Sequence, residues 1–329
     1  MVEADIEWRP GCSIRVLRKR AWMLERIRAF FAGQGVMEVE TPSLCQRVGT
    51  DPNLDFWNAG PEGDATVRAE SLYLQTSPEY AMKRLLAAGS GSIYQICKAY
   101  RYGESGRFHN PEFTILEWYR VGFDLERLMD EVDALLGRSL GLSGSESERI
   151  GYRTAFDRHC GIDPFSARIA DFRAFAEMKD DPGAFRLCGD DIRLWQEYLF
   201  GCYVQPHLGK SGLCFVFDYP AVQCALARLK PGDSRIAERV EVFYHGVELA
   251  NGFWELDCEP EQRRRFERDL VIRRQTGKPL PAIDERLLAA LQEGLPDCAG
   301  IAVGLDRVLM LLVDADSIDA VLSFSFARA

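Results

Sequence analysis

The stretch that decides the fold is R-F-H-N-P-E-F-T-I-L-E-W-Y-R-V at residues 107–121. A polar loop leads into residues 113–121, where the alternation of side chains predicts a strand. Glu117 and Tyr119 share one face of that strand because side chains alternate with a period of two, whereas Trp118 faces the core. The segment therefore predicts a strand that carries two polar groups into one pocket.

A second stretch, G-L-D-R at residues 304–307, ends a glycine-containing apolar segment. It predicts a strand that turns into a helix with Arg307 near the start of the helix. A second arginine, Arg101, lies shortly before the first stretch. An isolated arginine is usually a surface residue, but a fixed guanidinium also stabilises negative charge on phosphate oxygens. The two arginines are therefore candidates for binding phosphate oxygens.

Composition restricts the class of protein. The chain has 329 residues, of which 47% are apolar, so it can bury a large core as one large domain or two moderate ones. No run approaches the roughly 20 apolar residues that span a bilayer, and residues 1–5 are acidic rather than basic. We expect a cytoplasmic protein without membrane contact.

Charge and metal-binding residue types narrow the choice further. Ten cysteines lack any C-x-x-C pair and there are four histidines, so neither a zinc site nor a disulfide framework is indicated. The cysteines are expected to be small core residues. A net charge of −10 argues against a broad surface for RNA phosphates. Small molecules or a protein partner fit better.

Two helices precede the first stretch. Apolar residues recur at helical spacing over residues 16–31, Gly33-Gln34-Gly35 ends this helix, and residues 36–41 then predict a strand. Residues 79–88 predict another helix, with Ser77 as N-cap and Pro78 at the first helical position. Later, residues 150–212 alternate helical patterns with loops, and we interpret about 140–212 as an insertion within the domain.

Residues 239–256 predict a hairpin whose two-residue turn is His245-Gly246. A simple register places Glu241 opposite Ala250 and puts Glu241 and Glu248 on one side, roughly 7–8 Å apart as diagonal neighbours. Two such carboxylates could share Mg²⁺ with nucleotide phosphates, or they could merely flank a solvated edge.

The same register places Asn251 and Glu255 on the opposite face of this hairpin. A bulge at Gly252 could bring them back to the face of the two glutamates.

These segments resemble class II aminoacyl-tRNA synthetases, in particular the lysine-specific branch. Residues 16–45, 93–121 and 299–313 resemble motifs 1, 2 and 3. The resemblance extends over nearly the whole chain. It includes the segments T-S-P-E-Y-A-M-K-R-L-L, E-L-A-N-G-F-W-E-L and P-D-C-A-G-I-A-V-G-L-D-R. It implies an α+β fold, a single class II synthetase-like catalytic domain over residues 1–329 with a mostly antiparallel sheet flanked by helices, and a homodimer formed through motif 1.

Within that branch the resemblance is to the elongation factor P lysine ligases, truncated relatives of lysyl-tRNA synthetase. Only about fifteen residues precede the motif 1 helix, so we expect no N-terminal anticodon-binding barrel and no stable tRNA binding. The resemblance implies that ATP activates (R)-β-lysine as an adenylate, which is then joined to a lysine side chain of elongation factor P. Mg²⁺ is the implied cofactor.

The resemblance also implies roles for individual residues. The implied catalytic residues are Arg101 and Arg307. The implied amino-acid contacts are Ser77, Glu79, Glu117, Tyr119, Asn251, Glu255 and Ala302. The implied nucleotide contacts are Arg101, Glu104, His109, Asn110, Phe113, Glu248, Leu249, Gly304 and Arg307. The implied metal ligands are Glu241 and Glu248.

Two positions depart from the synthetase pattern. Lysyl-tRNA synthetases have glycine where Ala302 stands, and an added methyl in a tight pocket shifts a preference by about 1–3 kcal/mol, enough to favour a β-amino isomer. Gly103 replaces a glutamate that contacts the adenine amino group in the family, so either Glu104 or backbone groups take over that contact, or nucleotide affinity is reduced by about 1–3 kcal/mol.

Two alternatives stay open at this point. The chain could be a short ligase that activates α-lysine or another amino acid for a different acceptor. It could also be a catalytically silent module that binds amino acid or nucleotide and regulates a partner. Retention of Arg101, Glu241, Glu248 and Arg307 together argues against the silent module.

Overall fold

The computed structural model describes residues 8–60, 72–142 and 146–329. The α-helices are α1 Ile14–Gly33, α2 Glu79–Ala87, α3 Leu125–Val132, α4 Tyr152–Cys160, α5 Ile169–Met178, α6 Pro182–Cys188, α7 Ile192–Leu199, α8 Glu259–Gln275, α9 Glu285–Gly294 and α10 Leu305–Leu312. The strands are β1 Met37–Glu38, β2 Leu44–Cys45, β3 Tyr73–Leu74, β4 Ile93–Tyr100, β5 Glu112–Val121, β6 Glu148–Gly151, β7 Cys214–Pro220, β8 Leu229–Lys230, β9 Asp233–Tyr244, β10 Val247–Trp254 and β11 Cys298–Gly304.

The chain forms two compact units. Unit one consists of Met1–Val121, Asp257–Pro296 and Ala302–Ala329, and unit two consists of Gly122–Leu256 and Asp297–Ile301. Both combine helices with mixed, mostly antiparallel strands, which confirms the predicted α+β class. No helix in the described part of the chain is both long enough and apolar enough to cross a membrane.

Unit one is organised around β4, which pairs with β1 in parallel and with β5 in an antiparallel register. Helix α1 begins after Ser13, whose side chain accepts the amide hydrogen of Val16. It packs through Met23, Ile27 and Phe31, which are fully buried. The predicted helix and the strand at 113–121 are therefore confirmed.

Two predicted boundaries of unit one are shifted in the structure. The strand expected over residues 36–41 is limited to β1, because only Met37 and Glu38 pair with β4. Helix α2 begins at Glu79, and Pro78 takes the N-cap position without a side-chain hydrogen bond, whereas the sequence placed Pro78 at the first helical position after an N-cap at Ser77. Ser77 still contributes at this helix end, since its Oγ accepts the amide hydrogen of Glu79 at 3.0 Å.

Unit two contains the strand order β10-β9-β7-β6, with β8 also paired to β9. Helices α4 to α7 come from the predicted insertion and form an apolar core with β7 and β9. Tyr152 lies in that core, stacked on Phe200 at 4.8 Å between ring centroids, and Trp195 is fully buried. The expected alternation of helices and loops is confirmed, although residues 143–145 of the insertion lie outside the described chain.

The hairpin of β9 and β10 turns at His245-Gly246 as predicted, and both residues have the left-handed backbone of a type I′ turn. The predicted register was right at Glu248, which lies opposite Phe243, but wrong beyond it. A bulge between Glu248 and Ala250 adds one residue to β10. Asn251 is therefore opposite Glu241, and the bulge lies at Leu249 rather than at Gly252.

Gly252 instead permits a close approach to Gly300 and Ile301 of β11. A Cβ atom at this position would come within 2.8 Å of the carbonyl oxygen of Gly300 and within 2.8 Å of Ile301 Cβ. Real Cβ atoms do not make contacts this short with backbone. Glycine is therefore required where these two segments of unit two pass each other.

Candidate active site

A buried carboxylate organises the polar face of β5. Glu117 is 2% exposed, and its two oxygens accept hydrogen bonds from Tyr119 Oη at 2.6 Å and Ser77 Oγ at 2.8 Å. The shared face that the sequence predicted is thereby confirmed. Tyr119 donates its only hydroxyl hydrogen to Glu117, so the outward lone pairs of its oxygen accept rather than donate.

Glu79 at the start of α2 has an internal cationic partner. Lys83 Nζ lies 2.7 Å from Glu79 Oε1, and the lysine side chain is 2% exposed. Burying an ammonium is costly unless a carboxylate pairs with it, so this i,i+4 pair fixes the orientation of Glu79. Sequence reasoning missed Lys83, although its spacing of four residues from Glu79 was a visible signal.

Arg101 follows the last paired residue of β4. Its guanidinium carbon lies 5.0 Å above the ring of Phe113, and its Nη1 lies 3.6 Å from Glu104 Oε1. The buried Nε of Arg101 has no hydrogen-bond partner among the residues that the structure describes. A buried donor of this kind suits an anionic ligand.

Gly103 occupies the turn between Arg101 and Glu104. Its φ is +78°, a left-handed backbone in which an L side chain is strained, although no atom lies within 4 Å of an ideal Cβ. The backbone conformation therefore accounts for glycine at this position. Glu104 is the neighbouring carboxylate that contacts Arg101.

Arg307 lies in the first turn of α10. Its Nε donates to the carbonyl oxygen of Phe108 at 3.2 Å, and its Nη2 lies 2.7 Å from His109 Nε2. Because a guanidinium only donates, His109 must accept through Nε2 and carry its hydrogen on Nδ1. The loop before β5 is thus held to the motif 3 helix within unit one.

Asn110 and Asp306 complete this attachment. Asn110 is buried, donates to the carbonyl oxygen of Glu112 at 2.6 Å and accepts from the amide of Phe326 at 3.0 Å. Asp306 accepts from Arg20 Nη2 at 2.5 Å and from the amide of Thr114 at 2.6 Å. Both side chains therefore hold the loop and strand that present Arg101 and Arg307.

The remaining predicted residues of unit one are near the end of β11. Ala302 is half-buried on this strand, and Gly304 is the N-cap of α10, directly before the helix that bears Arg307.

Unit two contains a network centred on an arginine that the sequence analysis did not assign. Arg239 on β9 donates to the carbonyl oxygen of Gln223 at 2.7 Å through Nη1 and to Asn251 Oδ1 at 3.1 Å through Nε. Its Nη2 donates to Glu241 Oε1 in a very short hydrogen bond. Tyr219 Oη donates to the other oxygen of Glu241 at 2.7 Å.

Burial raises the pKa of the Glu241 carboxyl, Arg239 opposes that rise, and the charge of Glu248 adds to it. Burial also raises the pKa of Tyr219, so its hydroxyl stays protonated and donates. Glu248 is paired with Phe243, two residues from Glu241 on β9, so the register keeps Glu241 and Glu248 on one face as diagonal neighbours. The position of Arg239 two residues before Glu241 was a usable signal, whereas Tyr219 on β7 had none.

The bulge also determines where the other predicted residues of unit two lie. Leu249 lies within it and is 2% exposed. Asn251 joins the face of Glu241, which corrects the expectation that it lies on the opposite side. Glu255 follows β10 at a spacing of four from Asn251, is 1% exposed, and its amide donates to the carbonyl oxygen of Cys298 at 3.0 Å.

The donor set of Glu241 and Glu248 suits Mg²⁺, a hard cation that prefers carboxylate oxygens. A cation between them would also relieve the repulsion that raises the pKa of Glu241. Within the described residues, no group of three or more His, Cys, Asp or Glu side chains is arranged to hold a metal. Two carboxylates combined with nucleotide phosphates match the usual environment of Mg²⁺.

Comparison with known proteins defines the class. The family "tRNA synthetases class II (D, K and N)" matches residues 6–328, and the chain belongs to this family. Among curated relatives, the elongation factor P–(R)-β-lysine ligase of Edwardsiella ictaluri is 48% identical over 322 residues, which cover 98% of each chain. The ligases of the same name from Klebsiella pneumoniae subsp. pneumoniae and Salmonella dublin are 47% and 46% identical, again over 98% of each chain.

Proposed function

We propose that this protein activates (R)-β-lysine with ATP and transfers it to a lysine side chain of elongation factor P. The observation that carries the proposal is the identity of 46–48% to ligases with this name, over 98% of this chain and of theirs. Retention of the arginines and carboxylates described above supports an active ligase rather than a silent module.

The proposed first step is attack of the substrate carboxylate on the α-phosphate of ATP. A bond forms between a carboxylate oxygen and phosphorus, and pyrophosphate leaves. No general base is required, because a carboxylate is ionised at neutral pH. Arg101 and Arg307 would stabilise the charge that develops on the phosphate oxygens, and such fixed donors contribute most when they are held before the reaction.

In the proposed second step, the neutral amine of the acceptor lysine attacks the carbonyl carbon of the adenylate. An amide bond forms, AMP leaves with the electron pair of the broken carbon–oxygen bond, and the amine loses a proton. The loop attachments of Arg307 through Phe108 and His109 would keep its guanidinium in place during both steps.

We assign protein groups that accept hydrogen bonds or carry negative charge to the two ammonium groups of the amino-acid substrate. Tyr119 offers only lone pairs outward, since its hydrogen bonds to Glu117, and Ser77 fixes the second oxygen of that carboxylate. Glu79 and the buried Glu255 supply negative charge for the two ammonium groups, whose desolvation is otherwise costly. Asn251 would contact the same substrate.

For the nucleotide, we assign contacts to Arg101, Glu104, His109, Asn110, Phe113, Glu248, Leu249, Gly304 and Arg307. Phe113 offers a half-buried ring for the base, and Glu104 replaces the contact that Gly103 lacks. Asn110 acts through the loop that it holds. Glu241 and Glu248 would hold Mg²⁺, which neutralises phosphate charge when it is bound with ATP.

The preference for β-lysine is assigned to Ala302. Its methyl group would crowd an α-amino group, a difference worth about 1–3 kcal/mol between isomers. ATP–pyrophosphate exchange tests this directly. We expect exchange with (R)-β-lysine to exceed exchange with α-lysine, and Ala302→Gly to narrow the difference. Equal exchange in both proteins would contradict the assignment and favour a ligase for a different substrate.

A homodimer is proposed through motif 1, because unit one exposes large apolar side chains there. Ile14, Met37 and Leu44 are 59%, 49% and 49% exposed. Such surfaces mark interaction sites. The acceptor is a translation factor, so we propose that the protein acts in the cytoplasm. Sedimentation at micromolar concentration would show a dimer if this assignment is right and a monomer if it is wrong.

A further inference from the structure

Arg239 of unit two makes hydrogen bonds through all three of its side-chain nitrogens. Its side chain is 17% exposed, and its three nitrogens reach Gln223, Asn251 and Glu241. The guanidinium carbon also lies 4.8 Å from the centre of the Tyr219 ring. A guanidinium with all of its nitrogens committed inside the fold is held in a fixed orientation. Its role is therefore exerted through the side chains that it contacts.

The bulge at Leu249 makes one of these contacts possible. Because of the shifted register, Asn251 lies opposite Glu241 and on the same face as Arg239, whose own cross-strand partner is Phe253. Arg239 thus reaches along its strand to Glu241 and diagonally to Asn251. In the uninterrupted register, the amide of Asn251 would point to the other face of the hairpin.

The hydrogen bond from Arg239 to Asn251 decides which end of the Asn251 side-chain amide faces a ligand. Arginine has only donors, so the atom of Asn251 that faces Arg239 must be the carbonyl oxygen. The amide NH₂ then points away from Arg239. Asn251 is half-buried and so reachable by a ligand. In this orientation it donates to an acceptor such as a carboxylate and offers no acceptor to an ammonium group.

We propose that Arg239 is a positioning residue that fixes Asn251 as a hydrogen-bond donor to the carboxylate of the amino-acid substrate. The inference rests on the proposed function, because it requires that Asn251 contacts that substrate. Glu241 supports it by holding Nη2, and the Gln223 carbonyl holds Nη1. Loss of the arginine frees the amide to rotate, which lowers affinity for the amino acid more than affinity for ATP.

The test measures ATP–pyrophosphate exchange with (R)-β-lysine for Arg239→Met and Arg239→Lys. We expect the KM for the amino acid to rise about 5-fold to 50-fold, the effect of losing one oriented hydrogen bond, and the KM for ATP to change much less. The matched control is Arg235→Met on the same strand, since Arg235 is exposed and pairs with the neighbouring Asp233. The control should behave as the wild type.

Asn251→Asp keeps an oxygen for Arg239 but removes the donor, so it separates the contact from folding. We expect it to fold normally and to raise the amino-acid KM. The double variant Arg239→Met/Asn251→Ala should be no worse than Asn251→Ala alone, because the arginine acts through the asparagine.

An unchanged amino-acid KM in folded Arg239→Met, or in Asn251→Asp if the arginine variants do not fold, would overturn the inference alone. Wild-type protein without any exchange would overturn the proposed function and this inference together.

Discussion

The two hairpins that carry the candidate residues differ in register. In unit one, β4 and β5 pair without interruption from Ile93 opposite Tyr119 to Tyr100 opposite Glu112. In unit two, β9 and β10 shift by one residue between Glu248 and Ala250. The regular hairpin brings polar groups to one face at every second position. The bulged hairpin brings together residues three apart, so the spacing of polar residues alone does not define a face.

The hairpins also satisfy their buried carboxylates differently. Glu117 in the regular hairpin accepts from the hydroxyl groups of Ser77 and Tyr119. Glu241 in the bulged hairpin accepts from the guanidinium of Arg239 as well as from Tyr219. Hydroxyl donors orient a carboxylate, whereas an arginine also balances its charge. The pairing with Arg239 suits Glu241 to the positioning of neighbouring side chains and a metal.

The largest expected effect comes from the end of the regular hairpin. Arg101→Met should lower ATP–pyrophosphate exchange by about 10²–10³-fold, because a fixed donor to the transition-state charge is lost. The matched control is Lys98→Met on the same hairpin, where the lysine is 44% exposed and pairs with exposed Glu112. A decrease of similar size in the control would show that the hairpin is merely destabilised.

The next effect shifts the register that the bulge sets. Insertion of one alanine between Ala250 and Asn251 should move Asn251 and Glu255 by one position along β9 and turn both side chains to the other face. We expect amino-acid activation to fall at least about 10-fold to 100-fold, since each oriented contact contributes about 1–3 kcal/mol. Leu249→Ala, which keeps the register, should retain more activity at a temperature where both are folded. Normal activation by the insertion variant would refute the role of the register.

A smaller effect sharpens the account of the regular hairpin. Ser77→Ala removes one donor from the buried carboxylate of Glu117, and we expect the amino-acid KM to rise about 5-fold to 50-fold. Ser90→Ala serves as control, because the Ser90 hydroxyl only contacts the neighbouring carbonyl of Gly91 at the surface. Both KM values are measured by steady-state ATP–pyrophosphate exchange at varied concentrations of (R)-β-lysine. Equal KM values in the two variants would contradict the role of Ser77 in orienting Glu117.

Gly252→Ala tests the packing beside the bulged hairpin. The added Cβ would collide with Gly300 and Ile301, and overpacking of this kind costs about 1–3 kcal/mol. Gly151→Ala is the control, since no atom lies within 4 Å of its ideal Cβ. Urea unfolding measures the free energy of unfolding of each variant. If Gly252→Ala is as stable as the control, the close approach is not a constraint.

The smallest effect is a pH dependence at Glu241. Burial raises the pKa of its carboxyl above the ordinary 4.5, against the influence of Arg239 and with that of Glu248. The folded state then binds the proton more tightly than the unfolded state. The resulting stability is present below the unfolded pKa and is lost as pH rises through the folded pKa.

Glu241→Gln removes this titration. Its unfolding free energy relative to wild type should therefore increase as the pH rises above about 4.5. The exposed Glu126→Gln gives the reference slope in the same urea series. Curves for wild type and Glu241→Gln that stay parallel across this range would contradict the direction of the shift.

Local pattern predicted much of the site. Period-two alternation placed Glu117 and Tyr119 on one face, and the structure joins them by a hydrogen bond of 2.6 Å. The turn at His245-Gly246 followed from residue type, because a type I′ turn needs left-handed backbone. Boundaries were predicted less accurately. Pro78 takes the N-cap position of α2 without a side-chain hydrogen bond, and the predicted capping group, Ser77 Oγ, accepts the amide of Glu79.

The rest depends on contacts that sequence spacing does not encode. A bulge is a backbone event stabilised by the fold around it, so its place at Leu249 could not be read from alternation, and Gly252 was the wrong candidate. The partner of Glu241 on β7, Tyr219, is distant in sequence and carries no local signal. Lys83 and Arg239 did have local signals, at four and two residues from their carboxylate partners.

The central claim is that this chain joins (R)-β-lysine to elongation factor P. The most direct test incubates purified protein with Mg-ATP, (R)-β-lysine and elongation factor P of the same organism, then weighs the acceptor by intact-protein mass spectrometry beside an α-lysine control. The account predicts an acceptor heavier by one lysyl group, formed faster with (R)-β-lysine. An unmodified acceptor while ATP is still consumed with an amino acid would contradict it and indicate a ligase for a different acceptor.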